Sequence, residues 1–234
     1  MVKLFHSPSS RSTGILWLLE ELEIPYEVDL INIRSPNGAP EGYREIQPNK
    51  KVPAIIHDGS IITERAAIVI YLCDIFNDMN LAPQNGDLRR GQYLSMLVYC
   101  DSVMDPVMNA KMHGWTYRPS DFSYGHFDDM VKYIDKKLSS QLYAVGNEFT
   151  AADTQLGSAI HWGINILDVL PKKSSFMNYL SRIMLRPGFI RAMEKDDAFT
   201  RRPYSDPHLF NYRPNVATQY ETSTLNDFYG DGLP

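Results

Sequence analysis

The sequence predicts an α/β domain built on a small mixed sheet, followed by an all-α domain. Three observations lead there. Strand-like and helix-like segments alternate through the first third, an Asp-Gly turn sits between two apolar runs, and strand patterning stops after residues 82–87. The expected divisions are residues 1–81, a linker at 82–87, helices over 88–200 and a tail at 201–234.

Val2 to His6 is a short apolar run ending in a Ser/Pro cluster, which predicts a strand and a loop. Ile15, Leu18, Leu19 and Leu22 then share one helical face, and Pro25 closes that helix. Tyr26 to Leu30 alternates as a half-buried strand does. Residues 35–48 hold three prolines and two glycines, so a loop with a short irregular helix is expected. Val52–Ile56 and Ser60–Thr63 flank Asp58-Gly59, two residues that tolerate positive φ, and this predicts a hairpin. A helix follows, with Ile68, Tyr71, Leu72 and Ile75 on one face.

Beyond the linker, Leu94, Leu97 and Val98 begin a long helix. Pro106 should kink or break it near Met104–Asp105. Phe127, Met130, Val131, Ile134 and Leu138 form another stripe, and helices are expected over 151–167, 174–185 and after Pro187. The tail is rich in Pro, Asn, Asp and Tyr, and is either packed over the surface or partly disordered. Its aromatic residues, Phe210, Tyr212, Tyr220, Phe228 and Tyr229, favour packing.

Composition narrows the function. A net charge of −5 carries no basic excess, which argues against broad nucleic-acid binding. Cys73 and Cys100 lie in apolar helical stretches and read as buried free thiols. Six scattered histidines without HxxxH or CxxC spacing argue against a metal site. No apolar run reaches the roughly 20 residues of a membrane span, and no signal peptide is visible, so the cytosol is the expected compartment.

Three segments in fixed order carry a family resemblance. They are Ser7-Pro8-Ser9-Ser10-Arg11-Ser12 leading into Leu16-Trp17-Leu18-Leu19-Glu20-Glu21-Leu22, then Asn49-Lys50-Lys51-Val52-Pro53-Ala54-Ile55, then Ile62-Thr63-Glu64-Arg65-Ala66-Ala67-Ile68. Together they resemble the thioredoxin-like domain of glutathione transferases. Phe149-Thr150-Ala151-Ala152-Asp153 resembles that family's N-capping motif, with Thr150 at N-cap and Asp153 in place of the usual Glu or Gln. The resemblance covers residues 1 to about 195 and implies a homodimer.

The resemblance implies a glutathione site in the first 65 residues. Val52-Pro53 would be a cis bond presenting the Val52 backbone to an extended peptide. Glu64 would face the α-ammonium of the γ-glutamyl end. Arg65 replaces the family's serine, and either grips the α-carboxylate or fills its place. Lys51 is a candidate for a glutathione carboxylate, as is Arg11 for the ligand, and Asp101 for the ammonium, across a dimer.

Conjugation needs a thiolate, and a hydroxyl near a helix N-terminus favours one. The loop has no cysteine or tyrosine, so a serine is expected: Ser10 first, Ser7 second. A serine before a helix is also the ordinary N-cap. Tyr99, Met104, Met108, Met112, Trp115 and Tyr117 are candidates for an apolar electrophile pocket, or for helix-bundle core. The expected function is transfer of glutathione to an electrophile, without metal or covalent enzyme intermediate. Glutathione-dependent peroxidase, lyase or isomerase chemistry, and a non-catalytic binding or regulatory role, stand beside it.

Overall fold

The computed structural model describes residues 1–201, so the expectations for 202–234 lie outside the described residues. Strands β1 (Val2–His6), β2 (Tyr26–Leu30), β3 (Ala54–His57) and β4 (Ser60–Thr63) form one mixed sheet in the order β2-β1-β3-β4. β1 runs parallel to β2 and antiparallel to β3, and β3 antiparallel to β4. Helix α1 (Thr13–Leu22) makes the crossover between β1 and β2, and α2 (Arg65–Ile75) follows β4. This is the thioredoxin-like arrangement. Asp58 and Gly59 have φ of 47° and 87° in the β3–β4 turn, the positive pair that a two-residue hairpin needs.

Alternation along the strands sorts side chains to the two faces. Val2, Leu4 and Ile55 join the main core with α1 and α2, while Phe5, Ala54 and Ile56 meet Tyr43 and Ile46 on the opposite face. Tyr43 belongs to a short 3-10 helix, Glu41–Glu45, inside the expected Pro/Gly-rich connection.

The second part is helical: α3 (Arg89–Tyr99), α4 (Asp105–Met112), α5 (Phe127–Ser140), α6 (Ala151–Asn165), α7 (Ser174–Ile183) and α8 (Pro187–Thr200). Between α3 and α4 the chain takes one π-helical stretch, Cys100–Met104, and Pro106 falls in the first turn of α4. The helix is thus re-registered where a kink was expected, and the proline's missing N–H falls where a helix start needs none.

Two details differ from the periodicity. On α2 the buried stripe is Arg65, Ile68, Val69, Leu72 and Cys73, and Ile75 is 45% exposed. On α3 Tyr93, Met96 and Leu97 face inward, whereas Val98 is 51% exposed. Both shifts place one more charged or aromatic residue against the interdomain seam.

α1 is buried almost all round. Its two acids meet α8. Glu21 pairs with Arg186 and accepts the Trp17 indole N–H at 2.8 Å, while Glu20 pairs with Arg191 and Lys195. The start of α6 carries the expected capping box. Thr150 N–H donates to Asp153 Oδ2 at 2.9 Å, and Ala144 N–H and Tyr179 Oη donate to Asp153 Oδ1 at 2.7 and 2.9 Å. Both cysteines are buried free thiols, and burial pushes the Cys73 thiol up to about 12. No helix among the described residues is long and apolar enough to cross a membrane.

Candidate glutathione site

The β1–α1 loop is held from several directions. Ser7, Ser10 and Ser12 are buried within it. Ser10 Oγ donates to the Ser7 carbonyl at 2.6 Å and lies 2.8 Å from Ser12 Oγ. Ser12 Oγ lies 2.7 Å from His6 Nδ1, and His6 Nε2 lies 2.9 Å from Asp196 Oδ1 of α8, off the ideal hydrogen-bond line. Asp196 also accepts the Ser9 N–H and the Thr13 hydroxyl, each at 2.9 Å. Burial raises the Asp196 carboxyl, but these partners, His6 foremost, outweigh it and hold it below its ordinary range.

Ser12 occupies the N-cap position of α1 without making a side-chain cap bond, so the ordinary capping role is not realised there. Ser7 is fully buried and its Oγ accepts Arg34 Nη1 at 3.3 Å. Ser10 is 8% exposed, and Ser9 is exposed with φ of 51°.

The second wall is the turn before β3. Val52-Pro53 is a cis peptide bond. The residue before it is clamped: Gln47 Oε1 accepts the Lys51 N–H at 3.0 Å, and Tyr43 Oη donates to the Lys51 carbonyl at 3.0 Å. No described residue hydrogen-bonds the Val52 backbone. The Lys51 side chain is exposed.

The third wall is the start of α2. Glu64 is exposed and has φ of 64°, a left-handed value that costs a non-glycine residue. Arg65 points the other way, into the seam between the two parts. It pairs with Asp101 and, at 2.5 Å, with Asp105 Oδ2. Arg11 grips the same Asp105 through Nε and Nη2, both at 3.0 Å, and reaches Ser158 Oγ at 3.0 Å. Asp101 also accepts the Ala66 N–H at 3.1 Å.

Two arginines and two aspartates thus close the seam with no net charge. Burial lowers Arg65, but Asp105 and Asp101 override it and hold the guanidinium above its ordinary value. Burial also dominates at Asp101, whose carboxyl is raised despite Arg65. The guanidinium groups of Arg11 and Arg65 and the Asp101 carboxylate meet in this cluster, where buried Arg65 Nη1 has no hydrogen-bond partner among the described residues. The π-helical stretch explains the convergence, because Asp101 lies in it and Asp105 directly follows it.

The six electrophile-pocket candidates do not come together. Met104 and Met108 have no exposed surface and belong to the main core, where long apolar side chains of a central helix are drawn. Tyr99 is half-buried and stacks in a tilted pair with Tyr133, centroids 4.9 Å apart. Met112 and Trp115 are 42% and 60% exposed. Trp115 and Tyr117 line an open cavity of about 530 Å³ with Lys111, His126, Phe127 and Lys132.

Residues 8–75 match the family model described as "Glutathione S-transferase, N-terminal domain". The N-terminal domain is a glutathione S-transferase domain. The similarity runs on through the helical part. Glutathione S-transferase 3 of Schizosaccharomyces pombe is 27% identical over 92% of this chain and 96% of its own length. Glutathione S-transferase GstA of Escherichia coli O157:H7 is 25% identical over 80% of this chain and 94% of its own. A sphingomonad glutathione S-transferase solved in complex with glutathione superposes with a TM-score of 0.66, at 24% identity, over 83% of this chain and 98% of that one. This last likeness is one of fold. The enzyme class these matches carry is glutathione S-transferase.

Within the glutathione S-transferase domain, the matched segment contains Ser10, Arg11, Lys51, Val52, Pro53, Glu64 and Arg65, and begins one residue after Ser7. Nothing in the sequence singles out His6, Asp196 and Arg34. His6 ends a strand and reads as an ordinary inward residue. Asp196 lies in a helix 187 positions beyond the serine it meets. Only the packing of α8 across α1 brings them together.

Proposed function

We propose that this protein binds glutathione and activates its thiol for attack on a small, largely apolar electrophile. The observation that carries this reading is the unpaired Val52 backbone at the cis Val52-Pro53 bond, between the serine loop and the start of α2. An extended peptide pairs with such a backbone as an added strand, which suits the cysteinyl unit of glutathione. The exposed Glu64 carboxylate meets the α-ammonium, and the first turn of α2 offers N–H groups to the α-carboxylate. The exposed Lys51 offers its ammonium to a glutathione carboxylate. Arg11 and Arg65 serve the reading as scaffold, pinning α1 and α2 to α4.

The sulfur then lies against the serine loop at the N-terminus of α1, where a positive potential favours the thiolate. Ser10 is the hydroxyl for the task and Ser7 the second choice. Ser10 turns its proton from the Ser7 carbonyl to the sulfur. The thiolate forms an S–C bond with the electrophile as the leaving group departs, and no bond to the enzyme forms. Met112, Trp115 and the half-buried Tyr99 are the apolar surfaces offered to the electrophile. A cytosolic homodimer completes the reading, and sedimentation tests the dimer.

Retention on immobilised glutathione, followed by conjugation of a chloronitroaromatic, is the test. No binding at millimolar glutathione sinks the proposal. Ser10→Ala should lose conjugation while Ser7→Ala retains most of it, and equal activity of the two sinks the hydroxyl mechanism. One observation favours a second reading, a non-catalytic glutathione-binding module: the Ser10 hydroxyl lies 2.6 Å from the Ser7 carbonyl and 2.8 Å from Ser12 Oγ, engaged within the loop. Binding without conjugation, peroxide reduction or lyase turnover would select it.

A further inference from the structure

Four side chains form a continuous polar line that ends at the proposed thiol position: Asp196, His6, Ser12 and Ser10. The successive separations are 2.9, 2.7 and 2.8 Å. His6 and Ser12 have no exposed surface, and the line meets the surface only at its two ends, Ser10 and Asp196, each 8% exposed. Nothing in packing requires an imidazole between a carboxylate and a buried hydroxyl. A polar side chain sealed away from water is costly unless each of its atoms is used.

We propose that His6 and Asp196 are positioning residues that let the Ser10–Ser12 pair carry the thiol proton inward; this rests on the glutathione reading above. With a proton on Nε2 facing Asp196, His6 presents Nδ1 as an acceptor to the Ser12 hydroxyl. Ser12 Oγ then has a lone pair for Ser10 Oγ–H. When glutathione binds, its S–H bond breaks and the proton passes to Ser10 Oγ. The Ser10 proton moves to Ser12 Oγ, and the Ser12 proton moves to His6 Nδ1. The sulfur keeps the electron pair, one N–H bond forms, and the imidazolium lies against the Asp196 carboxylate. Nothing is oxidised or reduced. The proton returns along the same line after the product leaves.

The charged groups meeting this loop are Asp196 from α8 and Arg34, which donates to Ser7 Oγ and to the Ser9 carbonyl. Arg11 turns away to Asp105. The loop backbone is held by the Ser9 N–H on Asp196 Oδ2 and, at 3.2 Å, by the Ser7 N–H on Ser12 Oγ. Removing the imidazole interrupts the line and leaves both anchors, while removing the Ser12 hydroxyl leaves the one at Ser9.

The experiment follows the ultraviolet absorbance of bound glutathione thiolate against pH in full-length wild type, Ser12→Ala and His6→Gln, with Thr13→Val as a control. Binding of S-methylglutathione, which has no thiol proton, is measured by calorimetry in parallel. Ser12→Ala and His6→Gln should bind S-methylglutathione like wild type, yet titrate the thiol about one pH unit higher. Thr13→Val, which removes a different contact to Asp196, should leave the titration in place. An unmoved titration in both relay variants, with normal S-methylglutathione binding, overturns the relay alone. Failure of the wild type to bind S-methylglutathione overturns the glutathione reading and the relay with it. A variant that does not fold is replaced by Ser12→Cys, whose thiol still fills the site but is a poorer link, and which should shift the titration in the same direction; an unmoved titration there also counts against the relay.

Discussion

Replacing Asp105 by asparagine removes one charge from the seam while keeping the side chain's shape. Asp105 receives two bonds of 3.0 Å from Arg11 and one of 2.5 Å from Arg65. Both ends of these pairs are largely out of water, at 16% and 9% side-chain exposure for the arginines and 19% for the aspartate. After the change Arg65 keeps Asp101, but Arg11 loses its carboxylate partner and keeps only neutral acceptors, Ser158 Oγ and the asparagine oxygen. Removing one partner of a buried pair costs about 3–5 kcal/mol, because the stranded charge stays desolvated. For a chain of this size each kcal/mol lowers Tm by about 2–4 °C, so a fall of about 6–20 °C is expected. Urea unfolding followed by tryptophan fluorescence measures it, with the slope m unchanged. A cost below about 1 kcal/mol would mean that the seam behaves as a surface ion pair, and would refute the argument. Combining the change with Arg11→Met separates charge from shape: the double variant should be more stable than Asp105→Asn alone, since no stranded guanidinium remains.

Thr150→Ala should destabilise by about 0.5–2 kcal/mol, read from the same urea curves, since the box at the start of α6 loses its hydroxyl. Gly157→Ala should cost about 1–3 kcal/mol or more, because a Cβ there would run into Ile183 and come within 3.3 Å of the Trp17 ring; unchanged stability would show that α7 can yield. Glu20 is pushed up by burial, but hydrogen bonds from Lys195, Tyr26 and Arg191 outweigh this and lower it. Its folded value is thus below the unfolded one, so its contribution is present above the ordinary carboxylate range and is lost as pH falls through the lowered value. Glu20→Gln should flatten the acid limb of a stability-versus-pH profile, and an acid limb identical to wild type would count against the pairing.

The sheet and the helical half were legible in the sequence because local signals and burial agree there. Asp58-Gly59 demands the hairpin whatever surrounds it, and Met130, Val131, Ile134 and Leu138 repeat at a spacing that only a one-sided helix satisfies. The site was legible in its frame and not in its charges. Arg65 sits at a helix start beside a candidate carboxylate site, and its neighbours in sequence say nothing of Asp101 and Asp105, which reach it through a π-helical stretch that periodicity does not reveal. Met104 and Met108 lie in the core for a related reason. A flexible apolar side chain suits a ligand pocket and a core equally well, and only the position of the helix within the bundle decides between them.

The grip of α8 on α1 also sets an order of events. Arg186, Arg191 and Lys195 hold Glu20 and Glu21, and Asp196 takes the Ser9 N–H across a separation of 187 positions. During synthesis the serine loop leaves the ribosome long before the helix that fixes it. The loop therefore waits as an unfinished structure while seven helices form, and closing so long a chain loop is among the slower steps in folding. The earliest-made part of the candidate site is thus among the last to take its working shape.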